Sequence, residues 1–109
     1  MSWDVSLKMK TGEQSALYHD VRNVTYNNGH LFAAAGILTG LSYFNGRKAG
    51  DCIEILSSAH IYLQNPDNES SLRKLEPPNG WGGLEDAQGF IKNFLDACVE
   101  HPGTTIVID

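Results

Sequence analysis

The chain has 109 residues and a mass of 12.0 kDa, which fits one domain and leaves no room for two cores of ordinary size. Hydrophobic residues make up 41% and charged residues 19%, enough apolar material to fold and too little charge for a disordered segment. Thirteen acids against eight bases give a net charge of −5, which argues against a general nucleic-acid binder, because phosphate contacts need a basic face.

Trp3, Val5, Leu7 and Met9 alternate with Asp4, Ser6, Lys8 and Lys10, the period-two pattern of a half-buried strand. Lys10-Thr11-Gly12-Glu13 offers a glycine for a tight turn, so residues 14–26 are expected to run back as the second strand of a hairpin. Leu17, His19 and Val21 share one phase there, while Val24 and Tyr26 share the other. The slip near Arg22-Asn23 predicts a bulge or break, a feature that often re-aims side chains beside a site.

Asn27-Asn28-Gly29 supplies residues that cap helices, and the apolar stretch from His30 to Thr39 reads as a short buried helix, interrupted by Gly36 and closed by Gly40. Residues 41–48 form a loop whose Asn45-Gly46 step signals a turn. Asp51 is placed as the N-cap of a helix running to about Gln64, in which Cys52, Ile55, Leu56, Ala59, Tyr62 and Leu63 form an apolar stripe. Residues 67–80 are polar and contain Pro77-Pro78-Asn79-Gly80, an irregular surface connection with one helical turn at Ser70 to Lys74. Leu84, Ala87, Ile91, Phe94 and Cys98 carry the strongest helical periodicity in the chain, led by Glu85 and Asp86. His101-Pro102-Gly103 stops that helix, and Thr104 to Ile108 reads as a β-branched strand, apolar on both faces and therefore internal to the sheet.

The order β-β-α-α-α-β predicts an α+β fold: a small, mainly antiparallel three-stranded sheet with helices packed on one face, forming a single domain over 1–109 with the last strand beside the first. No apolar run approaches the roughly 18 residues of a membrane helix. The opening Met1-Ser2-Trp3-Asp4 lacks the basic and apolar regions of a signal peptide, so a cytoplasmic protein without a membrane partner is expected. Cys52 and Cys98 form no CxxC pair and have no histidine at zinc-finger spacing, so no metal site is expected and the two read as reduced core thiols, with a bridge open to them only if their helices pack side by side. The sequons at Asn23 and Asn68 matter only in a secreted chain.

The sequence contains no P-loop, dinucleotide fingerprint, nucleophile elbow or HExxH pair. His19 and Asp20 are neighbours on a strand and point to opposite faces, so they do not form a catalytic dyad. No catalytic residue and no cofactor is assigned, and the chain is read as non-enzymatic.

Three polar clusters remain. Asn23-Val24-Thr25-Tyr26-Asn27-Asn28 gathers amides, a hydroxyl and a ring where a strand leads into a helix N-terminus, a junction suited to anions, although ordinary capping accounts for the same residues. Tyr43-Phe44-Asn45-Gly46-Arg47-Lys48-Ala49-Gly50 carries adjacent cations in an acidic chain, able to neutralise a phosphate or simply to solvate a turn. Glu76-Pro77-Pro78-Asn79-Gly80-Trp81-Gly82-Gly83 sets an indole between glycines, either tucked onto the core or offered to a base or sugar face. Each precedes a helix, so the three are expected to converge at one rim as a pocket for a nucleotide-like small molecule.

Together, the Trp-Asp-Val start, Asn-Val-Thr-Tyr-Asn at 23–27, Asn-Gly-Arg-Lys-Ala at 45–49, Pro-Pro-Asn-Gly-Trp-Gly at 77–82 and a His-Pro before the last strand resemble a group of small accessory proteins of tailed phages and prophages. That resemblance implies a counter-defence role in an infected bacterial host. Some small phage proteins of unrelated folds sequester the nucleotide signals made by bacterial TIR or cyclase immune systems, and the pocket reading fits that role by analogy.

The expected function is a non-catalytic sponge for an ADP-ribose derivative or cyclic nucleotide. Tyr26 and Trp81 wall the base or ribose, Asn23, Asn27, Asn28 and Asn79 bond its hydroxyls and base edge, Thr25 adds a hydroxyl, and Arg47 and Lys48 face phosphates, with Tyr43 and Asn45 beside them. The first rival is a protein inhibitor of a host factor, such as an anti-CRISPR. The second is a hydrolase of the same signals using His19 or His30. A homodimer would complete a small pocket, although no residue requires one.

Overall fold

The computed structural model describes residues 2–11, 14–77, 80 and 82–109, and at 10, 11, 14–20, 22, 23, 25 and 26 it describes the backbone alone. The chain is a mixed α+β domain. Strand β1 (Ser2–Thr11) pairs antiparallel with β2 (Gln14–Thr25) on one side and with β3 (Thr105–Ile108) on the other, giving the order β2-β1-β3. The alternation in β1 sorts its faces as a pleated strand must. Val5 and Leu7 are fully buried, Trp3 packs against the core, and Asp4 is exposed.

The phase slip of β2 has a backbone cause. Val5 faces Arg22 while Ser6 faces Asp20, so Val21 is an extra residue; Leu7 faces His19 while Lys8 faces Leu17, so Tyr18 is another. The expected bulge near Arg22-Asn23 therefore lies one residue earlier, at Val21, and a second follows. Each extra residue flips the side-chain phase.

A 3-10 turn at Tyr26–Asn28 leads into α1 (Gly29–Ala34), which is shorter than the expected His30 to Thr39 helix. Gly36, at φ +104°, ends it: Gly36 N–H donates to the Ala33 carbonyl and Ile37 N–H to that of Phe32. This is a Schellman closure, with Gly36 in the left-handed position and Ile37 tucked into the core. Further 3-10 turns at Leu41–Phe44 and Ala49–Cys52 precede α2 (Ile53–Gln64). Asp51 is not its N-cap. It sits inside the preceding turn, and Cys52 occupies the cap position without a side-chain bond.

After a 3-10 turn at Pro66–Asn68, the single turn expected at Ser70 to Lys74 is α3 (Glu69–Arg73), anchored by buried Leu72. Helix α4 (Leu84–Glu100) buries Leu84, Ala87, Phe90, Ile91, Phe94, Ala97 and Cys98 along one face. That face packs against α2 and covers Val5, Leu7, Val24 and Ile106 of the sheet in one core. An aromatic series runs through it: Trp3 to Phe32 at 6.0 Å between ring centroids, Phe32 to Phe90 at 6.1 Å, Phe90 to Phe94 at 5.8 Å, Phe94 to Phe44 at 5.2 Å and Phe44 to Tyr43 at 5.2 Å. Each such pair adds about 0.5–1.5 kcal/mol beyond the burial of its area.

The expected interior position of β3 is corrected, because only β1 is a regular neighbour. Its other edge is closed by irregular backbone: Gly46 N–H donates to the Ile106 carbonyl at 2.8 Å and Ile106 N–H to the Arg47 carbonyl at 2.8 Å. Asn45 Oδ1 accepts from Ile108 N–H at 3.0 Å. Segment 45–49 thus satisfies an edge that would otherwise expose open backbone groups. Among the described residues, no helix is long and apolar enough to cross a membrane.

Candidate ligand-binding site

Two glycines make room for an indole. A Cβ on Gly40 would stand 2.8 Å from Trp3 Cζ2, and Gly40 itself is held at φ +72°; a Cβ on Gly29 would meet Trp3 at 3.9 Å. The ring tilts against Phe32 and walls an open hollow of about 760 Å³, whose polar lining includes Asn27, His30, Thr39, Lys74 and Glu76. That volume lies within the usual range for small-ligand sites. Lys74 is an exposed cation in no described ion pair.

Beside this hollow, which Asn27 and Glu76 line, runs a network of polar contacts, buried at Asn28 and exposed at Arg73. Asn28 is fully buried, its Nδ2 donates to Asp86 Oδ2 at 2.8 Å, and its Oδ1 accepts from Gly83 N–H at 2.9 Å. Glu76 Oε2 accepts from Leu84 N–H at 2.8 Å, capping α4, and from Arg73 Nη1 at 3.2 Å. Arg73 also donates to both oxygens of Glu85 at 2.8 and 2.6 Å, and to Glu69 at 3.3 Å. The side-chain bonds from Arg73 are the main reason the Glu85 carboxyl is drawn down to about 2. The same bonds raise Arg73 above its ordinary value.

A second hollow of about 660 Å³ is lined by Tyr43, Arg47, Lys48, Asp51 and Glu54, with Cys52 also lining it. The Arg47 guanidinium lies 4.0 Å from the Tyr43 ring centroid, and its Nε donates to the Tyr43 carbonyl at 2.7 Å. Between the two lies a smaller apolar hollow of about 360 Å³, bounded by Gly36, Ile37, Leu38, Thr39, Tyr43 and Ile55. It shares Leu38 and Thr39 with the Trp3 hollow and Gly36, Tyr43 and Ile55 with the Arg47 hollow.

The described residues of the three clusters expected at one rim line two different hollows. Asn27 meets Glu76 and Pro77 in the Trp3 hollow, but Tyr43, Arg47 and Lys48 line the second hollow instead. The reason is a long-range pairing: residues 45–49 are committed to closing the edge of β3. Asn45 is drawn into that closure, its Oδ1 taken by Ile108 N–H. Asn28 is not offered to a ligand either, since both ends of its amide are satisfied inside the protein. The helix it precedes has six residues and carries little dipole. Asn23 and Thr25 belong to β2 and Tyr26 to the turn after it, while their side chains lie outside the described residues, as do Asn79 and Trp81.

Trp3, Thr39 and Lys74 were invisible as site residues because each has an ordinary role in its own segment: strand core, loop and helical surface. The one local signal was Gly40, whose left-handed backbone faces the indole. Cys52 and Cys98 are buried free thiols, and burial pushes Cys98 up to about 12. Among the described residues, no group of three or more His, Cys, Asp or Glu is arranged to hold a metal ion.

No protein-family model, curated protein or solved structure matches this chain, so its function has to be argued from the hollows themselves.

Proposed function

We propose that the protein is a non-catalytic binder that sequesters a small nucleotide-derived signal, an ADP-ribose derivative or a cyclic nucleotide, in the Trp3 hollow. In this reading it serves phage counter-defence in the cytoplasm of an infected bacterium. The observation that carries the proposal is the meeting of an indole wall, an amide, a hydroxyl, an imidazole and an exposed cation around one opening of about 760 Å³. A flat base stacks on an aromatic face at a gain of about 1–3 kcal/mol. Asn27 and Thr39 suit a base edge or ribose hydroxyls, and Lys74 with His30 suits a phosphate. Arg47 and Lys48, which line the other hollow, are given no part in phosphate binding. The resemblance read in the sequence motifs is what suggests the biological setting.

Titration calorimetry with ADP-ribose, its cyclic isomers and cyclic dinucleotides tests the reading. Saturable heat at one ligand per site is expected, and Lys74→Ala should weaken binding roughly tenfold, the value of a typical charged hydrogen bond. No heat with any member of the panel refutes it. Chromatography of ligand recovered after denaturation separates a sponge, which returns it intact, from a hydrolase, which does not. A pull-down that retains a host protein and no small molecule would favour the inhibitor reading.

A further inference from the structure

The small apolar hollow between the two polar ones has an unusual neighbour. Leu38 forms part of its rim and is 80% exposed, the most exposed large hydrophobic side chain among the described residues. The hollow beside it measures about 360 Å³ and is bounded by Gly36, Ile37, Tyr43 and Ile55. Gly36 adds no side chain to that rim, and nothing lies within 4 Å of where its Cβ would stand. A protruding leucine and an apolar recess therefore share one patch. A cavity of about 150 Å³ already admits a benzene ring, so this recess has room for a leucine side chain.

We infer that this saddle is a self-association surface, on which a two-fold axis sets Leu38 of each copy into the recess of the other. A knob and a hole on the same patch are self-complementary under a two-fold rotation, the commonest symmetry of soluble oligomers. Charge selects the same occupant. The chain carries −5 overall, yet the flank beside the saddle offers Arg47 and Lys48 together with Asp51 and Glu54. These four side chains cancel in charge, so the flank does not repel a second copy as an acidic face would. Both signs on one flank also let unlike charges of two copies face each other. An interface of ordinary size covers about 800 Å² on each partner, roughly one eighth of the 6244 Å² surface. A contact of that extent, centred on Leu38, also covers Thr39, and both residues line the Trp3 hollow, which the second copy then helps to close.

Sedimentation equilibrium of the full chain over a concentration series is the test. Wild-type protein should reach twice the 12.0 kDa chain mass. Leu38→Ala should raise the dimer dissociation constant roughly tenfold, as loss of an interface anchor does, and Leu38→Asp should leave monomer throughout. Ile61→Asp, at a residue that is 67% exposed and outside the saddle, should still dimerise. Circular dichroism and melting temperature of each variant show whether the fold is intact, and exposed Leu38 makes retention the expected result. Wild-type protein that stays monomeric at its highest soluble concentration overturns the inference, and so does a dimer that survives Leu38→Asp. Calorimetry on the wild-type protein reads ligand binding independently of its sedimentation, so failure of one reading is distinguishable from failure of the other.

Discussion

Asn28 and Asp86 stand 58 residues apart in the chain and are joined by a hydrogen bond of 2.8 Å, donated by Asn28 Nδ2 to Asp86 Oδ2. The other end of the same amide accepts from Gly83 N–H. One buried side chain thus fastens the turn after β2, next to Asn27 of the Trp3 hollow, to the start of α4. Asn28→Ala removes both bonds and leaves the Gly83 N–H without its acceptor, so a loss of about 2–4 kcal/mol is expected. Asn28→Asp should lose at least as much at neutral pH, because it sets a second carboxylate against Asp86, and should recover part of the loss in acid. Urea denaturation midpoints at two pH values measure both. A loss within about 0.5 kcal/mol, the usual range for surface changes, would remove Asn28 from this role.

Gly40→Ala tests the link between backbone and hollow. The added methyl would stand 2.8 Å from Trp3 Cζ2, at a position whose φ of +72° already disfavours any side chain. A stability loss of about 1–3 kcal/mol is expected from the backbone alone, together with displacement of the indole and weaker ligand binding. Gly46→Ala is the control. Gly46 also has positive φ, at +81°, but nothing lies within 4 Å of its would-be Cβ. It should show the backbone cost without the effect on binding. Equal binding by the two variants would separate Trp3 from the site.

How much of this was legible in the sequence depends on how local each determinant is. The inward stripe of β1 and the buried face of α4 follow from periodicities of two and 3.6 residues, so Val5, Leu7, Phe94 and Cys98 could be placed from sequence. The end of α1 was misplaced because Gly36 looked like an interruption, whereas its left-handed backbone closes the helix at once. The pairing of β3 with β1 was readable, but its place at the sheet edge was not. Its β-branched run matches an interior strand, and the backbone that closes its second edge comes from residues 45–49, some 60 positions earlier. That tertiary commitment also moved Arg47 and Lys48 away from Asn27, a fact no local pattern carries.

Arg73 and Glu85 make a titration test. Their paired bonds hold the Glu85 carboxyl at about 2, below its ordinary 4.5. A lowered folded value means the charged pair contributes fully above about pH 4.5, and the contribution fades as pH falls toward 2. Both groups are exposed, so the effect on stability is small, and the readout is the carboxyl itself. In Arg73→Met, the Glu85 side-chain resonance followed by NMR should titrate near the ordinary carboxylate range. An unchanged midpoint would mean that Arg73 does not hold Glu85.

The two thiols give the last prediction. Cys52 and Cys98 are buried and unpaired with each other, so a thiol reagent should leave both untouched in the native protein and modify both after unfolding. Cys52 lines the Arg47 hollow, yet burial outweighs the pull of the Arg47 cation and raises its thiol. A raised folded value reverses the pH sense of the carboxylate case. The unfolded chain gives up its Cys98 proton above about pH 9.0 while the folded chain keeps it to about 12. Stability therefore falls between those limits as pH rises. Melting temperatures across that range should decline more steeply in wild-type protein than in Cys98→Ala, whose remaining slope reports the other alkaline groups. Rapid native labelling of Cys52 would show instead that the hollow opens down to its sulfur, and would mark that thiol as a reactive group.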